Sequence, residues 1–165
     1  MRRRHFAGTV LALLFAPVAA KAGVVVQFVA PDRFADADFR RPARREALMR
    51  ELERHLKGLG DRYLPPQQTL TIEITDLDLA GRYEPFNIGF NEVRVMRDIT
   101  PPRVKLSYRL AAGGRTLAAG TETVSDLNYL SNIRARNASG SLPYEKAMLD
   151  DWFRRRFGER RPARG

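Results

Sequence analysis

The sequence predicts an α+β fold: a mainly antiparallel sheet of about five strands with two helices packed on one face, in the order β-α-β-β-β-β-α. Three observations carry the prediction. Two long segments repeat their apolar residues at helical spacing. Several shorter segments run apolar outright or alternate apolar with polar residues. The strand segments between residues 69 and 124 are joined by short connections, which suit antiparallel neighbours rather than parallel crossovers.

Residues 1–22 read as a secretory signal peptide. Met1-Arg2-Arg3-Arg4-His5 is basic, Phe6 to Ala20 is short and apolar, and Ala20-Lys21-Ala22 is a small-x-small cleavage site. The apolar run is shorter than the roughly 20 residues that a spanning helix needs, and Pro17 interrupts it. Gly23 follows the site and the chain has no Cys, which excludes a lipid anchor on a new terminal cysteine, disulfides and thiolate metal sites. The expectation is an exported protein, periplasmic or secreted, soluble after cleavage and without a stable membrane anchor.

The net charge is +10, and the signal accounts for four of those charges. The basic side chains are 25 Arg against 4 Lys. Codon bias on a solvated surface explains that ratio more simply than an anionic partner does. Residues 23–158 are long enough for one domain with its own core, and residues 159–165 form a basic tail.

Val24 to Val29 is β-branched and reads as a buried strand, ended by Pro31. Asp32 to Phe39 is an acidic connection. Pro42 suits a first helical turn, and Leu48, Met49, Leu52, Leu56 and Leu59 form one apolar stripe, with Gly58 and Gly60 as the expected stop. Leu70, Ile72 and Ile74 alternate with polar residues. Continuing that phase would bury Asp76 and Asp78, which is costly, so the strand should bulge or end near Thr75. Gly81 to Asn91 is loop-like and carries Tyr83, Phe86 and Phe90; Val93 and Val95 suggest a short strand. Val104, Leu106, Tyr108 and Leu110 alternate strictly, and Gly113-Gly114 signals a tight hairpin to a return strand over 115–124. Asp126 to Leu142 is irregular. Pro143 then opens a second helix to about Phe157.

Certain segments stand out together: Val26-x-Phe28 with Pro31-x-x-Phe34-x-Asp36, Leu70-x-Ile72-x-Ile74-Thr75-Asp76-x-Asp78-Leu79-Ala80-Gly81, Tyr108-x-Leu110, Asp126-x-x-Tyr129-Leu130, and Tyr144-Glu145-Lys146-x-Met148-Leu149-x-Asp151-Trp152-Phe153. In this order behind a signal peptide, the set resembles a bacterial exported family known as domain of unknown function 3016. The resemblance covers nearly the whole mature chain. It implies no activity and no catalytic residues.

Asp76 and Asp78 are the candidate metal or ligand pair, since hard cations take several oxygen ligands. Asp32, Asp36 or Asp38 would complete such a site if the first loop lies beside the strand end. The competing expectation is that these acids cap turns or pair with Arg. His55 is the single His of the mature chain and sits beside the apolar stripe as a boundary residue. No serine lies in a nucleophile elbow, and no phosphate loop or dinucleotide fingerprint calls for a cofactor. Two Arg clusters, Arg40, Arg41, Arg44 and Arg45 with Arg154, Arg155 and Arg156, are candidate anion-binding residues if the two helices bring them to one end, where Tyr83, Phe86 and Phe90 could join them. No motif for sequence-specific nucleic-acid binding is present.

With no catalytic constellation in view, the leading expectation is a non-enzymatic binding or accessory module whose partner is an envelope protein or an anionic envelope component. Two alternatives remain open: a carboxylate-dependent hydrolase centred on Asp76 and Asp78, with or without a metal, and an anionic-envelope binder that uses the Arg clusters.

Overall fold

The computed structural model describes residues 22–85 and 92–158. Residues 1–21, the loop residues Phe86 and Phe90, and residues 159–165 lie outside the described residues. Among the described residues there are six strands and three helices: β1 (Gly23–Phe28), α1 (Pro42–Tyr63), β2 (Gln68–Asp78), β3 (Arg82–Pro85), β4 (Glu92–Val95), β5 (Arg103–Ala112), β6 (Arg115–Ser125), α2 (Ile133–Asn137) and α3 (Pro143–Phe157).

The fold is α+β. The main sheet has four strands in the order β1-β2-β5-β6, and β3 and β4 form a separate two-stranded ribbon. The short strand expected around Val93 therefore leaves the main sheet and pairs with Arg82–Pro85, a stretch that reads as loop because it carries no apolar alternation. β2–β5 and β5–β6 are antiparallel, whereas β1–β2 is parallel, with α1 as the crossover.

One face of the sheet carries the core. Val24, Leu70 and Leu110 stand in register, as do Val26, Ile72 and Tyr108, then Phe28, Ile74 and Leu106. The opposite face presents Thr71, Glu73, Ser107 and Arg109. A register shift between Ile74 and Asp76 leaves Thr75 as the extra residue of a β-bulge. The bulge reverses the phase: Leu77 now pairs with Val104 on the core side, and Asp76 falls opposite Lys105 on the polar side. The hydrophobic pattern is thereby satisfied without burying an unpaired acid beneath the helices. Gly113 and Gly114 both take positive φ in the β5–β6 turn, as a tight hairpin requires.

α1 buries Leu48, Leu52, Leu56 and Leu59 on one stripe, each contributing about 1.5–3 kcal/mol. It runs through Gly58 and Gly60 to Tyr63. The stop comes instead from Pro65, which holds Leu64 in an extended conformation. Gly60 serves packing: a Cβ there would run into the Val24 side chain. α3 buries Met148, Leu149, Trp152 and Phe153. Tyr108 meets Trp152 and Phe157 edge-on, at 5.9 and 5.5 Å between ring centres. Both helices join the one core cluster.

The helices lie side by side and point the same way. Lys146 pairs with Glu51, Asp150 approaches His55, and Phe153 packs on Tyr63. Parallel packing puts the first Arg cluster at the amino-terminal end of the pair and the second at the carboxy-terminal end. With Lys146 level with Glu51 and Asp150 level with His55, some sixteen helical residues part the Arg44 level from Arg155, about 24 Å at 1.5 Å per residue. The expected meeting of the two clusters does not occur.

Candidate functional site

The chemistry concentrates where the end of β2, the first loop, the β3–β4 ribbon and the start of α3 converge. The loop between β1 and α1 is folded as two 3-10 turns, Pro31–Arg33 and Ala37–Arg40, lying beside the strand end. The main-chain N–H of Ala35 donates to Asp76 Oδ1 (2.9 Å), and the N–H of Asp36 donates to the carbonyl of Leu77 (3.2 Å). The first loop thus does sit beside Asp76 and Asp78. Asp36 and Asp38, however, turn to an arginine.

Asp36 and Asp38 are both almost fully buried. Asp36 caps the second 3-10 turn by accepting the Asp38 N–H (2.9 Å), and also accepts the N–H of Leu79 (3.2 Å). Arg94 Nη2 donates to both Asp36 oxygens at 2.9 Å and lies 3.5 Å from Asp38. Its Nη1 donates to the carbonyls of Ala80 and Gly81, both at 3.1 Å. Tyr83 donates its hydroxyl to Asp38 (3.0 Å) and places its ring 4.6 Å from the Arg94 guanidinium. Arg44 adds a longer ion pair to Asp38 at 3.5 Å. Burial alone would discourage the Arg94 charge, yet Asp36, the Tyr83 hydroxyl and Asp38 hold its pKa above the ordinary value.

Asp78 is bound by Arg82 through two bonds of 2.6 and 2.9 Å, a bidentate grip, with Arg103 at 3.7 Å. Asp76 is held by Ala35 and by Lys105 at 3.2 Å. Burial works against its charge, but those donors win and its pKa is lowered. Asp32 stands exposed in the first 3-10 turn. Glu145, in the first turn of α3, is the fourth buried carboxyl of the junction, after Asp36, Asp38 and Asp78. Its Oε1 accepts the Ala80 N–H (2.7 Å), and burial raises its pKa against the pull of that N–H, its own N–H and Arg94. A cavity of about 120 Å³ lies between Arg44, Arg94 and Glu145. Among the described residues, no three His, Cys, Asp or Glu side chains are arranged to hold a metal ion.

The chain matches the family described as a protein of unknown function, DUF3016, over residues 22–155. It belongs to that family. No curated protein matches the chain, and no solved structure does.

Within this DUF3016 chain, Arg94 and Glu145 complete the junction, and no chemical motif in the sequence marks either as a site residue. Arg94 lies between Val93 and Val95, where one charge between two valines reads as an ordinary half-exposed strand. Glu145 follows Pro143 by two, a position commonly acidic for the helix dipole. The anion-binding candidates scatter. Arg45 donates to the Phe39 carbonyl at 3.0 Å, Arg41 lies 5.7 Å from the Tyr83 ring, and Arg40 is exposed. At the far end Arg154 pairs with Asp151, Arg156 pairs with Glu122 at 2.8 Å, and Arg155 is exposed.

A second concavity, about 420 Å³, opens between α1, α2 and α3. At its wall His55 Nε2 and Asp150 Oδ1 lie 2.8 Å apart. Both atoms are buried, their approach lacks hydrogen-bond alignment, and neither has another hydrogen-bond partner among the described residues. Among the described residues no helix is long and apolar enough to cross a membrane.

Proposed function

We propose that this DUF3016 chain is a non-enzymatic binding or accessory module that works outside the cytoplasm, in the periplasm or secreted. The observation that carries the reading is the state of the candidate acids. Asp36, Asp38 and Asp78 each face an arginine at ion-pair distance, and Asp76 faces Lys105. A carboxylate held by cations and main-chain N–H groups is a weakened general base and keeps fewer lone pairs for an incoming ion. Such a network orders loops: it fastens the β3–β4 ribbon and the first loop to the end of the sheet. The hydrolase reading centred on Asp76 and Asp78 loses its free acid by the same observation. Export rests on the basic, apolar and small-residue order of the leader.

The test uses mature protein from residue 23. Chromogenic esters, phosphoesters and glycosides are offered with and without Ca²⁺, Mg²⁺ or Zn²⁺, and no turnover is expected. Immobilised protein should retain an envelope component from a detergent extract. Turnover that disappears in Asp78→Asn would overturn the reading in favour of the hydrolase.

A further inference from the structure

The concavity between the three helices has a mixed lining. Arg134 and Arg154 supply positive charge, Asp150 and Asp151 supply acceptors, and Ser139 and Ser141 supply hydroxyls. Arg154 is engaged by Asp151, and Lys146, also on the wall, is engaged by Glu51. Arg134 is the lining arginine or lysine without an ion-pair partner among the described residues, and its side chain is exposed. Small residues, Ala135, Ala138 and Ala147, leave the space open. At about 420 Å³ the cleft falls in the size range of small-molecule sites.

The combination restricts the ligand. A purely cationic wall would take any polyanion, but Asp150 and Asp151 in the same cleft repel a ligand that offers only negative charge. A ligand with hydroxyl hydrogens for those carboxylates and one anionic group for Arg134 satisfies both. We infer that this cleft binds a phosphorylated sugar, with Arg134 gripping the phosphate and Asp150, Asp151, Ser139 and Ser141 reading the sugar hydroxyls. Arginine suits that role because its planar fork matches phosphate oxygens in pairs. The inference rests on the binding-module reading and names its ligand class.

Calorimetric titration at low salt with glucose 6-phosphate, glucose and inorganic phosphate tests it. Glucose 6-phosphate should bind, and each half-ligand alone should bind at least about tenfold more weakly. Arg134→Ala should weaken glucose 6-phosphate by about tenfold or more, the size of a charge-assisted pair, with unchanged thermal melting. Ser139→Ala should weaken glucose 6-phosphate and leave inorganic phosphate alone. Co-sedimentation with vesicles carrying lipid A, against plain phosphatidylcholine vesicles, separates a lipid headgroup from a free sugar phosphate; loss of either in Arg134→Ala supports the site. Absence of binding to both probes, or binding that Arg134→Ala leaves intact, would overturn the inference. An envelope partner retained under those conditions would leave the module reading standing. Release of phosphate from the probe would overturn the non-enzymatic reading instead.

Discussion

Arg94 aims one nitrogen at both oxygens of Asp36, 2.9 Å from each, across 58 residues of chain. That one contact ties the β3–β4 ribbon to the loop before α1, and the neighbouring Asp38, Tyr83, Ala80 and Gly81 all share the same guanidinium. Removing the cation leaves the buried Asp36 without its charge partner among the described residues and leaves Asp38 with the longer pair to Arg44. Arg94→Ala should cost about 3–5 kcal/mol, the range for breaking a buried pair from one side. Urea unfolding followed by Trp152 fluorescence measures it. Arg94→Lys should recover only part, because one compact ammonium lacks the planar fork whose Nη2 reaches Asp36 while Nη1 reaches the two carbonyls. A variant as stable as the parent would show that the junction is held by packing alone.

The acids with shifted pKa values should act oppositely on stability as pH changes. Burial raises the Glu145 pKa above its ordinary 4.5. Between those two values the folded chain holds more protons than the unfolded one, so Glu145 lowers stability as pH rises through that window. Glu145→Gln keeps an acceptor for the Ala80 N–H and removes the titration. Its melting temperature should gain on the parent as pH climbs from 4 upward. Asp76 and Glu51 have lowered pKa values, so the stability they contribute is present above their ordinary values and is lost as pH falls through the lowered ones. Asp76→Asn should therefore flatten the acid limb of the stability curve and leave the fall across the Glu145 window in place.

Two glycines of α1 should respond in opposite directions. At Gly58 a methyl group meets open space, so Gly58→Ala should stabilise by roughly 0.5–1 kcal/mol through helix propensity. At Gly60 a methyl group meets the Val24 side chain, and Gly60→Ala should destabilise by about 1–3 kcal/mol as β1 and α1 are forced apart. Paired chemical denaturation of the two variants checks the difference. Equal effects would contradict the packing of α1 on β1.

Export should leave a processed chain. Intact-mass analysis of protein recovered from the periplasm or medium should find Gly23 at the amino terminus. Ala20→Lys places a long charged side chain in the small-x-small site and should leave the precursor uncut. A full-length chain in the cytoplasmic fraction of the parent would remove the basis for the exported reading.

The elements follow from local pattern. The Leu48–Leu59 stripe, the Leu70–Ile74 alternation and Gly113-Gly114 each place an element within a few residues of its observed bounds. Even the bulge is legible, because Leu70, Ile72 and Ile74 set a phase that Asp76 and Asp78 could not continue, and only an extra residue near Thr75 reconciles the two. Helix ends were harder to read: Gly58 and Gly60 weaken a helix locally, and the packing of Gly60 on Val24 overrides that preference.

The export proposal rests on the leader pattern, and the sequence by itself determined the α+β class and the acids worth watching. Only the tertiary structure decided their partners. Asp36 and Arg94, or Asp38 and Tyr83, are too far apart in the chain for any periodicity to couple them, and the abundance of Arg makes many pairings equally good on paper. The parallel run of α1 and α3 is likewise a property of the crossover and of Phe153 meeting Tyr63. It parts the two Arg clusters and opens the cleft beside Arg134. Periodicity is a property of neighbours along the chain. A site is made by neighbours in space, and burial selects those from the whole molecule at once.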